Sequence, residues 1–335
     1  MLSICVPTFN RPACLENCLN SIKIAKKNFK IKFNVCISDN STKNTNYKII
    51  KKYKKNLSIT YKKNKKNIGR VMNMIQAVNL SKARFIWLIG DDDLLMPNSL
   101  KIVKQIINKK KNKDVDFFYL NSACVDSKYI FSKKHPFNTN MLPKKLNKFS
   151  LYDKEKKLKF YQLINPNVSF DFLGGMFLSI FKREIWNKNK NTLNKNFIRN
   201  TKTFTNFDNT FPHVKIFAKA FMRSNAYFCK RIVSVNLSGV REWSEYWPLI
   251  QSVRMIEMLE NYRINGLSLW RYLYCKNFAL RNFFPDYFKL IINRKKLGVT
   301  NINYPKLFFK NLLYPNVYLS IFYFIIRKIF KKKIK

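Results

Sequence analysis

Acidic residues, histidine and paired cysteines are scarce in this chain of 335 residues, and each shortage narrows the classes of protein that it can belong to. Only 18 Asp and Glu stand against 65 Lys and Arg, so the formal net charge is +47 and an acidic surface is excluded. With only His135 and His213, and with no C-x-x-C pair, we expect no zinc site. The number of cysteines is seven. An odd number argues against a disulfide framework and indicates a reducing compartment.

The strong positive charge has two interpretations. It would attract polyanions such as nucleic acid, anionic lipid or phosphorylated substrates. However, abundant Lys, Asn, Ile and Phe with only seven Gly suggest a coding bias that places lysine at solvated positions. No RRM, KH, helix-turn-helix or zinc-finger signature is present, so we expect no nucleic-acid partner. Hydrophobic residues make up 47% of the chain and aromatic residues 16%, which indicates a folded protein with a core.

The chain also lacks an apolar run of the roughly 20 residues that a transmembrane helix needs. The best candidate, residues 311–326, has sixteen residues, is interrupted by Pro315 and Asn316, and is followed by RKIFKKKIK. An apolar segment beside a polybasic one is typical of peripheral binding to anionic lipid. We therefore expect a cytoplasmic protein whose tail docks on the inner face of the cell membrane. The alternative is that this helix packs on the protein as ordinary core.

Strand and helix patterns alternate through the first 110 residues. Apolar residues recur at helical spacing between four short apolar runs of strand character. This alternation predicts an α/β fold with a mostly parallel sheet flanked by helices. The four predicted strands are residues 2–6, 33–37, 59–61 and 85–89.

The alternation becomes irregular after residue 115. Residues 115–120 read as a strand, residues 127–160 as a Lys-rich surface excursion, and residues 249–283 have a helical period. We therefore predict one large domain followed by a helical C-terminal extension. The predicted bounds are 1–240 for the domain, with halves 1–110 and 111–240, and 241–335 for the extension.

Polar clusters follow three of the predicted strands. PTFNR (residues 7–11) follows the first strand, SDNS (38–41) the second, and DDD (91–93) the strand at 85–89. In a doubly wound sheet the ligand binds beyond the carboxyl ends of the strands. Three segments that are distant in sequence would therefore meet at one edge of the sheet and form a site.

The three adjacent aspartates repel one another unless a cation compensates their charge. Mg²⁺ and Mn²⁺ prefer carboxylate and phosphate oxygens, so residues 91–93 are candidate ligands for either ion. The alternative is structural, because acidic residues also stabilise a helix N-terminus such as the one expected after Pro97. The preceding strand, Gly90 and the two other polar clusters favour the metal site.

Four segments, in this order and spacing, resemble family 2 glycosyltransferases of the GT-A fold. They are SICVPTFNRPACLENCLNSI, VCISDNST, NIGRVMNMIQAV and ARFIWLIGDDDLLMPNSL. Within that family the sequence is similar to the branch that includes bacterial abequosyltransferases and related O-antigen and capsule transferases. The resemblance covers residues 1–110 and implies an enzyme that uses a nucleotide-sugar donor.

The resemblance also implies roles for single residues. Asp39 would hydrogen-bond the base or ribose, and Asp93 with Asp91 would ligate Mg²⁺ or Mn²⁺, which bridges the diphosphate in this family. The residues expected to contact the nucleotide-sugar are Pro7, Thr8, Asn10, Arg11, Asp39, Asn67, Gly69, Asn73, Asp91 and Asp92.

An inverting transferase also needs a general base for the acceptor hydroxyl, and a carboxylate is the usual solution. Many members of the resembled family carry a Glu-Asp pair for this purpose, and we find no such pair in the second half of this domain. The candidates are Asp208 and then His213, both in NFDNTFPHV, with Asp171 in SFDFLGG as the third. A lone histidine is more often a structural residue than a base.

Three further residues are candidates for the acceptor side. Gly174 and Gly175 would let the backbone approach a ligand closely, and Trp243 would stack on a sugar ring or, alternatively, belong to the core. We thus predict a metal-dependent glycosyltransferase that acts on a glycan or lipid-linked glycan in surface polysaccharide biosynthesis. The alternatives are a non-catalytic basic protein that binds nucleic acid or membrane, and a degenerate transferase.

Overall fold

The computed structural model describes residues 2–29, 32–199, 204–239 and 245–332. In these residues the chain forms one mixed sheet of ten strands that is flanked by helices. The strands are β1 (Leu2–Thr8), β2 (Phe33–Asp39), β3 (Ile59–Lys63), β4 (Phe85–Leu88), β5 (Asp93–Leu95), β6 (Val115–Asp126), β7 (Asn147–Lys148), β8 (Lys156–Lys159), β9 (Ser179–Lys182) and β10 (Asn225–Ser238).

The helices of the described residues cover the sheet and form most of the C-terminal part. They are α1 (Pro12–Asn28), α2 (Thr45–Lys54), α3 (Arg70–Asn79), α4 (Ser99–Asn108), α5 (Ser127–Phe131), α6 (Arg183–Asn189), α7 (Lys195–Ile198), α8 (Phe207–Thr210), α9 (Pro212–Phe221), α10 (Trp247–Leu249), α11 (Met255–Ile264), α12 (Leu269–Ala279), α13 (Phe283–Ile292), α14 (Tyr304–Phe309) and α15 (Pro315–Lys332). A π-helical turn, Ile250–Arg254, joins α10 to α11.

The strand order β3-β2-β1-β4-β9-β6-β10-β5 places β1 inside the sheet. β1 pairs in parallel with β2 and β4, β2 with β3, and β6 with β10, whereas β5, β7, β8 and β9 are antiparallel to their neighbours. The residues of β4, FIWL, are all apolar and buried, as expected where helices cover both faces of such a sheet. The predicted mostly parallel α/β fold is therefore confirmed.

Each predicted strand of the first half is found, and most extend further than the pattern suggested. β1 and β2 continue to Thr8 and Asp39, so the polar clusters begin inside the strands. The predicted strand at 115–120 continues to Asp126 because β10 pairs with it over that length. The short β5 was not predicted, since a three-residue strand has no readable period.

The Lys-rich segment 127–160 is largely a surface excursion, but several of its residues are buried, among them Phe137. Phe137 is 1% exposed, its N–H donates to Oδ1 of Asn17 (2.7 Å), and its carbonyl accepts from Nδ2 of Asn20 (2.9 Å). Asn17 and Asn20 belong to α1, as does Glu16, whose Oε2 lies 2.9 Å from Nε2 of His135. The segment is thereby held against α1.

The C-terminal helices are continuous with the main core. Met258, Leu259 and Tyr262 of α11 belong to the principal apolar cluster, and the Tyr262 hydroxyl donates to the carbonyl of Phe172 (3.0 Å). α13 and α15 share a smaller cluster around Val317. None of the helices in the described ranges combines the length and the apolar character needed to cross a membrane.

Candidate active site

The site lies at the carboxyl ends of β1, β2 and β4. Thr8 and Asp39 are paired in the parallel register of β1 and β2. The N–H of Ile89, just after β4, donates to the carbonyl of Cys5 (3.0 Å), so the turn Gly90-Asp91-Asp92 emerges at the same edge. The pairing of β1 with β2 and β4 therefore brings the three distant segments together, as predicted.

Arg11 and Thr8 hold the carboxylate of Asp91. Nη2 of Arg11 lies 2.6 Å from Oδ1 of Asp91, and the Thr8 hydroxyl donates to Oδ2 (2.7 Å). Nη1 of Arg11 lies 3.4 Å from Oδ2 of Asp92. Arg11 precedes α1, where Pro12 provides the fixed φ of a first helical residue, so the helix start places this cation at the edge of the sheet.

The electrostatics of this group reflect burial and pairing. Burial raises the pKa of Asp91 to about 6, although Arg11 and the hydrogen bond from Thr8 oppose that rise. Burial disfavours the charge on Arg11, but the carboxylates of Asp91 and Asp92 outweigh it and raise the pKa of Arg11. The cation therefore stays charged beside the acidic turn.

Both carboxylate oxygens of Asp93 accept hydrogen bonds. Its Oδ2 accepts the N–H of Gly90 (2.6 Å) and its Oδ1 accepts Nδ2 of Asn236 on β10 (2.7 Å). A Cβ on Gly90 would lie 2.5 Å from Oδ1 of Asp92 and 3.2 Å from Oδ2 of Asp93, so a side chain there would displace the carboxylate of Asp92. Asn236 lies 143 residues away and was not predicted from the sequence.

Asp39 is fully buried and its carboxylate has two donors. The N–H of Ser41 donates to Oδ1 (2.8 Å) and the Tyr61 hydroxyl donates to Oδ2 (2.9 Å). Tyr61 comes from β3, the neighbouring strand, and burial raises its pKa, so it remains a neutral donor. The alternation of β3 could have indicated that Tyr61 faces this site, but not that it contacts Asp39.

Asparagine side chains connect the loops around the site. Nδ2 of Asn40 donates to Oδ1 of Asn67 (3.0 Å) and to the carbonyl of Gly69 (3.2 Å). Nδ2 of Asn73 donates to the carbonyl of Thr8 (3.0 Å). Gly69 has φ of 83°, a left-handed conformation that glycine adopts without strain, and it precedes α3. These side chains connect the loops that follow β1 and β2 to the start of α3.

Asn10 joins the first two polar clusters. Its N–H donates to the Ser41 hydroxyl (2.8 Å), and its Oδ1 accepts the N–H of Thr42 (3.0 Å). It has φ of 52°, which asparagine tolerates better than most residues. Pro7 pairs with Ser38 in the β1–β2 register and lies at the same edge of the sheet.

The first base candidate, Asp208, lies in α8 and is 4% exposed. Its oxygens accept from Nζ of Lys215 at 2.7 and 2.9 Å, and Oδ2 also accepts the N–H of Asn194 (2.7 Å). Nη2 of Arg70, at the start of α3, donates to the carbonyls of Asn209 and Thr210. The start of α3 and the segment that carries Asp208 are therefore in direct contact.

The second candidate, His213, is buried at the start of α9. Nε2 lies 3.2 Å from the carbonyl of Leu173, and the ring packs edge-on against Phe217 at a centroid distance of 5.7 Å. Burial, with a further contribution from Arg70, lowers the pKa of His213 to about 4. At neutral pH the ring is uncharged, and a donor to Leu173 requires the proton on Nε2.

The third candidate, Asp171, organises its own loop. Its oxygens accept from the Ser169 hydroxyl (2.5 Å) and the N–H of Gly175 (2.8 Å), and burial raises its pKa. A Cβ on Gly174 would lie 3.0 Å from the carbonyl of Asp171, and one on Gly175 would lie 3.0 Å from the Phe177 ring. Close packing within the chain thus accounts for both glycines. Trp243 lies outside the described residues.

The donor set at the acidic turn fits a hard divalent cation that binds through few protein ligands. In the described part of the chain, no three His, Cys, Asp or Glu side chains form a group that could hold a metal ion. Mg²⁺, however, commonly takes one or two carboxylates and fills its remaining positions with substrate phosphates and water. Oδ1 of Asp91 is buried and accepts no hydrogen bond, and its contact is the ion pair with Arg11.

Comparison with known proteins defines the class. Residues 3–226, two thirds of the chain, match the profile described as Glycosyl transferase family 2. The chain is therefore a glycosyltransferase, and it belongs to family 2.

Two relatives show how far the similarity reaches. Abequosyltransferase RfbV of Salmonella typhimurium is 33% identical over 112 residues, which are 33% of this chain and 33% of that protein. An uncharacterized glycosyltransferase of Methanocaldococcus jannaschii is 26% identical over 190 residues, which are 51% of this chain and 63% of that protein. The chain thus spans less than two thirds of the length of these curated relatives.

The similarity to solved structures concerns the fold. Residues 1–349 of TarS from S. aureus, in complex with UDP-GlcNAc, superpose with a TM-score of 0.54 over 89% of this chain and 76% of that one. The sequence identity is 14%, so the likeness supports the GT-A fold alone. The predicted fold type is confirmed.

Proposed function

We propose that this enzyme transfers a sugar, with inversion, from a nucleotide-sugar donor to a glycan or lipid-linked glycan in surface polysaccharide biosynthesis, and that it needs a divalent metal. The observation that carries the proposal is the contact of Arg11 and Thr8 with the acidic turn beside Asp39. The similarity to abequosyltransferase over 112 residues, and to the TarS fold solved with UDP-GlcNAc, supports it.

Asp39 would recognise the nucleotide. A carboxylate only accepts hydrogen bonds, so its partners on the ligand are ribose hydroxyls or a base N–H. Ser41 and Tyr61 fix its orientation and leave lone pairs on both oxygens. Because the donors come from β3 and from the segment directly after β2, the position of the carboxylate is set before the ligand arrives. Pro7, Asn10, Asn67, Gly69 and Asn73 would form the surrounding wall.

Arg11 and the acidic turn would hold the diphosphate. The guanidinium is 40% exposed at the side chain, so it can pair with Asp91 and still reach a phosphate oxygen. Mg²⁺ or Mn²⁺ on Asp93 and Asp91 would neutralise the charge that develops on the diphosphate as the glycosidic bond breaks. Asp92, which also faces Arg11, would lie towards the ribose or sugar.

Asp208 is our first choice for the general base. A carboxylate can accept a proton from the acceptor hydroxyl, and the contact with Nζ of Lys215 holds this one in a fixed orientation. His213 is uncharged at neutral pH and is our second choice, but its described contacts are those of a core residue. Asp171 is the third. Gly174 and Gly175 would then lie on the acceptor side of Asp171, with Trp243 as a further acceptor contact.

The enzyme would act in the cytoplasm at the inner face of the membrane, where a lipid-linked acceptor is presented. No observation favours the alternative of nucleic-acid binding over this one. A degenerate transferase would keep donor binding and lose transfer, so the two activities need separate measurement.

The test is a panel of nucleotide sugars measured for binding and for hydrolysis with Mn²⁺, with Mg²⁺ and with EDTA. We expect turnover of one class of donor in Mn²⁺ or Mg²⁺ and none in EDTA. Asp93→Asn should abolish turnover, whereas Asp153→Asn, at an exposed aspartate, should not. Full turnover in EDTA would contradict the metal, binding without turnover would indicate a degenerate enzyme, and the absence of both would contradict the proposal.

A further inference from the structure

Exposed apolar side chains are concentrated in one part of the molecule. Of the 24 large apolar side chains that are exposed in the described residues, 16 lie between residues 264 and 329. Ile264 is 84% exposed, Trp270 82%, Ile292 79% and Leu313 93%. Large exposed apolar patches on soluble domains mark sites of contact with another molecule or a membrane.

The same part of the chain has the strongest charge asymmetry. From residue 261 to 335 the sequence contains 16 Lys and Arg but a single acidic residue, Asp286. Asp286 is 1% exposed and accepts from Ser252 and Asn282, so it contributes little negative charge to the surface. A surface that is both apolar and positive fits a partner that is apolar and negative.

The last helix, α15, is fixed on the protein by one side only. Val317 and Ser320 are fully buried, and the Ser320 hydroxyl accepts the N–H of Phe284 (3.1 Å). Asn316 donates two hydrogen bonds to Asn277, and Nη2 of Arg327 donates to Oδ1 of Asn282 (2.8 Å). The helix is therefore held in place while apolar side chains such as Ile321 and Ile326 stay exposed.

The alternative interpretation from the sequence, that this helix packs as core, holds for one face, and docking on a membrane stays a prediction. The face with Val317 belongs to a smaller apolar cluster. Elsewhere on the helix, Phe322 (63%), Ile325 (48%) and Ile329 (53%) are among the side chains that remain exposed. Leaving such side chains in water is unfavourable, because each loses the stabilisation that burial would provide.

We infer that the exposed face of α15, together with the exposed residues of α13 and α14, is a docking surface for an anionic lipid bilayer and lies in the plane of the membrane interface. Tyr318 (51%) and Tyr323 (47%) suit the headgroup level, where amphipathic rings prefer to lie. Apolar insertion and basic residues together give stable peripheral binding where either alone is marginal.

Charge selects lipid over a second copy of the chain. Two molecules that each carry a formal charge of +47 repel one another, and the part of the chain that would pair is itself rich in Lys and Arg. Anionic headgroups instead neutralise it. The inference deepens the proposed function by naming the surface that presents a lipid-linked acceptor, and its test requires no sugar transfer.

The test is co-sedimentation of the full chain with vesicles of neutral lipid, and of neutral lipid containing anionic phosphatidylglycerol. We expect binding to the anionic vesicles and little to the neutral ones, with part of it lost in high salt. Phe322→Ser/Ile325→Ser should reduce binding roughly tenfold or more. Lys295→Glu/Lys306→Glu, at two exposed lysines of the same region, should also weaken it.

Matched controls separate this surface from general stickiness and charge. Leu151→Ser/Phe131→Ser removes exposed apolar residues elsewhere (84% and 45%), and Lys51→Glu/Lys55→Glu reverses two exposed lysines of the nucleotide-binding half. Both controls should bind vesicles within about twofold of the parent chain. Equal loss in the controls, equal binding to neutral vesicles, or sedimentation without vesicles would overturn the inference.

Failure of this inference and failure of the proposed function can be told apart. Each variant is also assayed without vesicles for donor hydrolysis and for thermal unfolding, because none of the changed residues belongs to the candidate active site. Loss of vesicle binding with unchanged hydrolysis and unfolding supports the docking surface. If Phe322→Ser/Ile325→Ser does not fold, the binding assay is repeated with Leu313→Ser, a single change at a residue that is 93% exposed.

Discussion

The guanidinium of Arg11 lies 2.6 Å from the carboxylate of Asp91, although the two residues are 80 positions apart. One stands at the start of the first helix and the other in the turn after the fourth strand. The pair ties the first polar cluster to the third, and the side chain of Asp91 is fully buried while that of Arg11 is 40% exposed. A buried carboxylate held by a partly exposed cation depends on that cation for its charge.

Removal of either partner should therefore destabilise the fold more than removal of both. Arg11→Gln leaves Asp91 buried without its cation, and we expect a loss of roughly 1–3 kcal/mol in the free energy of unfolding. Asp91→Asn alone should also be destabilising. The double variant should recover at least about 1 kcal/mol relative to the sum of the single changes. Urea unfolding of the four proteins measures this coupling, and simple additivity would contradict the pair.

Asp39 should set the affinity for the donor nucleotide rather than the rate of the chemical step. Asp39→Asn keeps the size of the side chain and removes its charge, so nucleotide binding should weaken by roughly 1.5–3 kcal/mol, tenfold or more. Tyr61→Phe removes one of the two hydrogen bonds that orient Asp39, and a smaller loss is expected. Calorimetry with the preferred nucleotide decides, and unchanged affinity in Asp39→Asn would rule out the role.

The sequence indicated the position of this site because the ends of the strands can be recognised in the sequence pattern. The apolar runs that became β1, β2 and β4 stop where polar residues begin, and parallel strands bring those ends to one edge. The family resemblance added the prediction of which of these residues face a nucleotide. Asp39, Arg11 and the acidic turn could therefore be placed from the sequence alone.

The supporting contacts could not be predicted, since they depend on distant chain segments. Asn236 reaches Asp93 because the short strand β5 pairs with β10, and three residues give no pattern from which to predict that pairing. The contact between Tyr61 and Asp39 depends on the register of β2 and β3, which the sequence alone does not give. The burial of α15 was ambiguous for a different reason. The fully buried stripe of this helix, which includes Val317 and Ser320, is narrow.

Arg70 should position the segment that carries Asp208. Its Nη2 donates to the carbonyls of Asn209 and Thr210, and its guanidinium lies 5.2 Å from the ring centroid of Phe204. Lysine keeps the charge but lacks the planar fork, so Arg70→Lys should lower kcat roughly tenfold or more while donor affinity stays close to normal.

Arg84 is the matched control for Arg70. Its guanidinium also lies 5.2 Å from a phenylalanine ring, that of Phe85, but it is not part of the candidate site. Arg84→Lys should leave kcat and donor affinity unchanged. A fall in donor affinity with unchanged kcat in Arg70→Lys would show that Arg70 acts on the nucleotide instead of on the base segment.

His213 should make stability depend on pH without taking part in catalysis. Because burial lowers its pKa to about 4 from an ordinary value of 6.5, the unfolded chain binds more protons between these two values. The stabilisation is therefore complete above pH 6.5 and is lost as the pH falls towards 4. The full difference corresponds to roughly 3 kcal/mol.

His213→Gln tests both parts of this statement. An amide N–H can donate to the carbonyl of Leu173 as Nε2 does, but it does not titrate. Urea unfolding between pH 4.5 and 7.5 should show that the parent chain loses stability relative to the variant as the pH falls, whereas at pH 7.5 sugar transfer by the variant should remain near that of the parent. Since Asp286 and the other carboxylates are present in both proteins, their titration cancels in the comparison. If His213→Gln folds normally but no longer transfers sugar at pH 7.5, while Asp208→Asn still does, the general base is His213 and the choice of Asp208 is wrong.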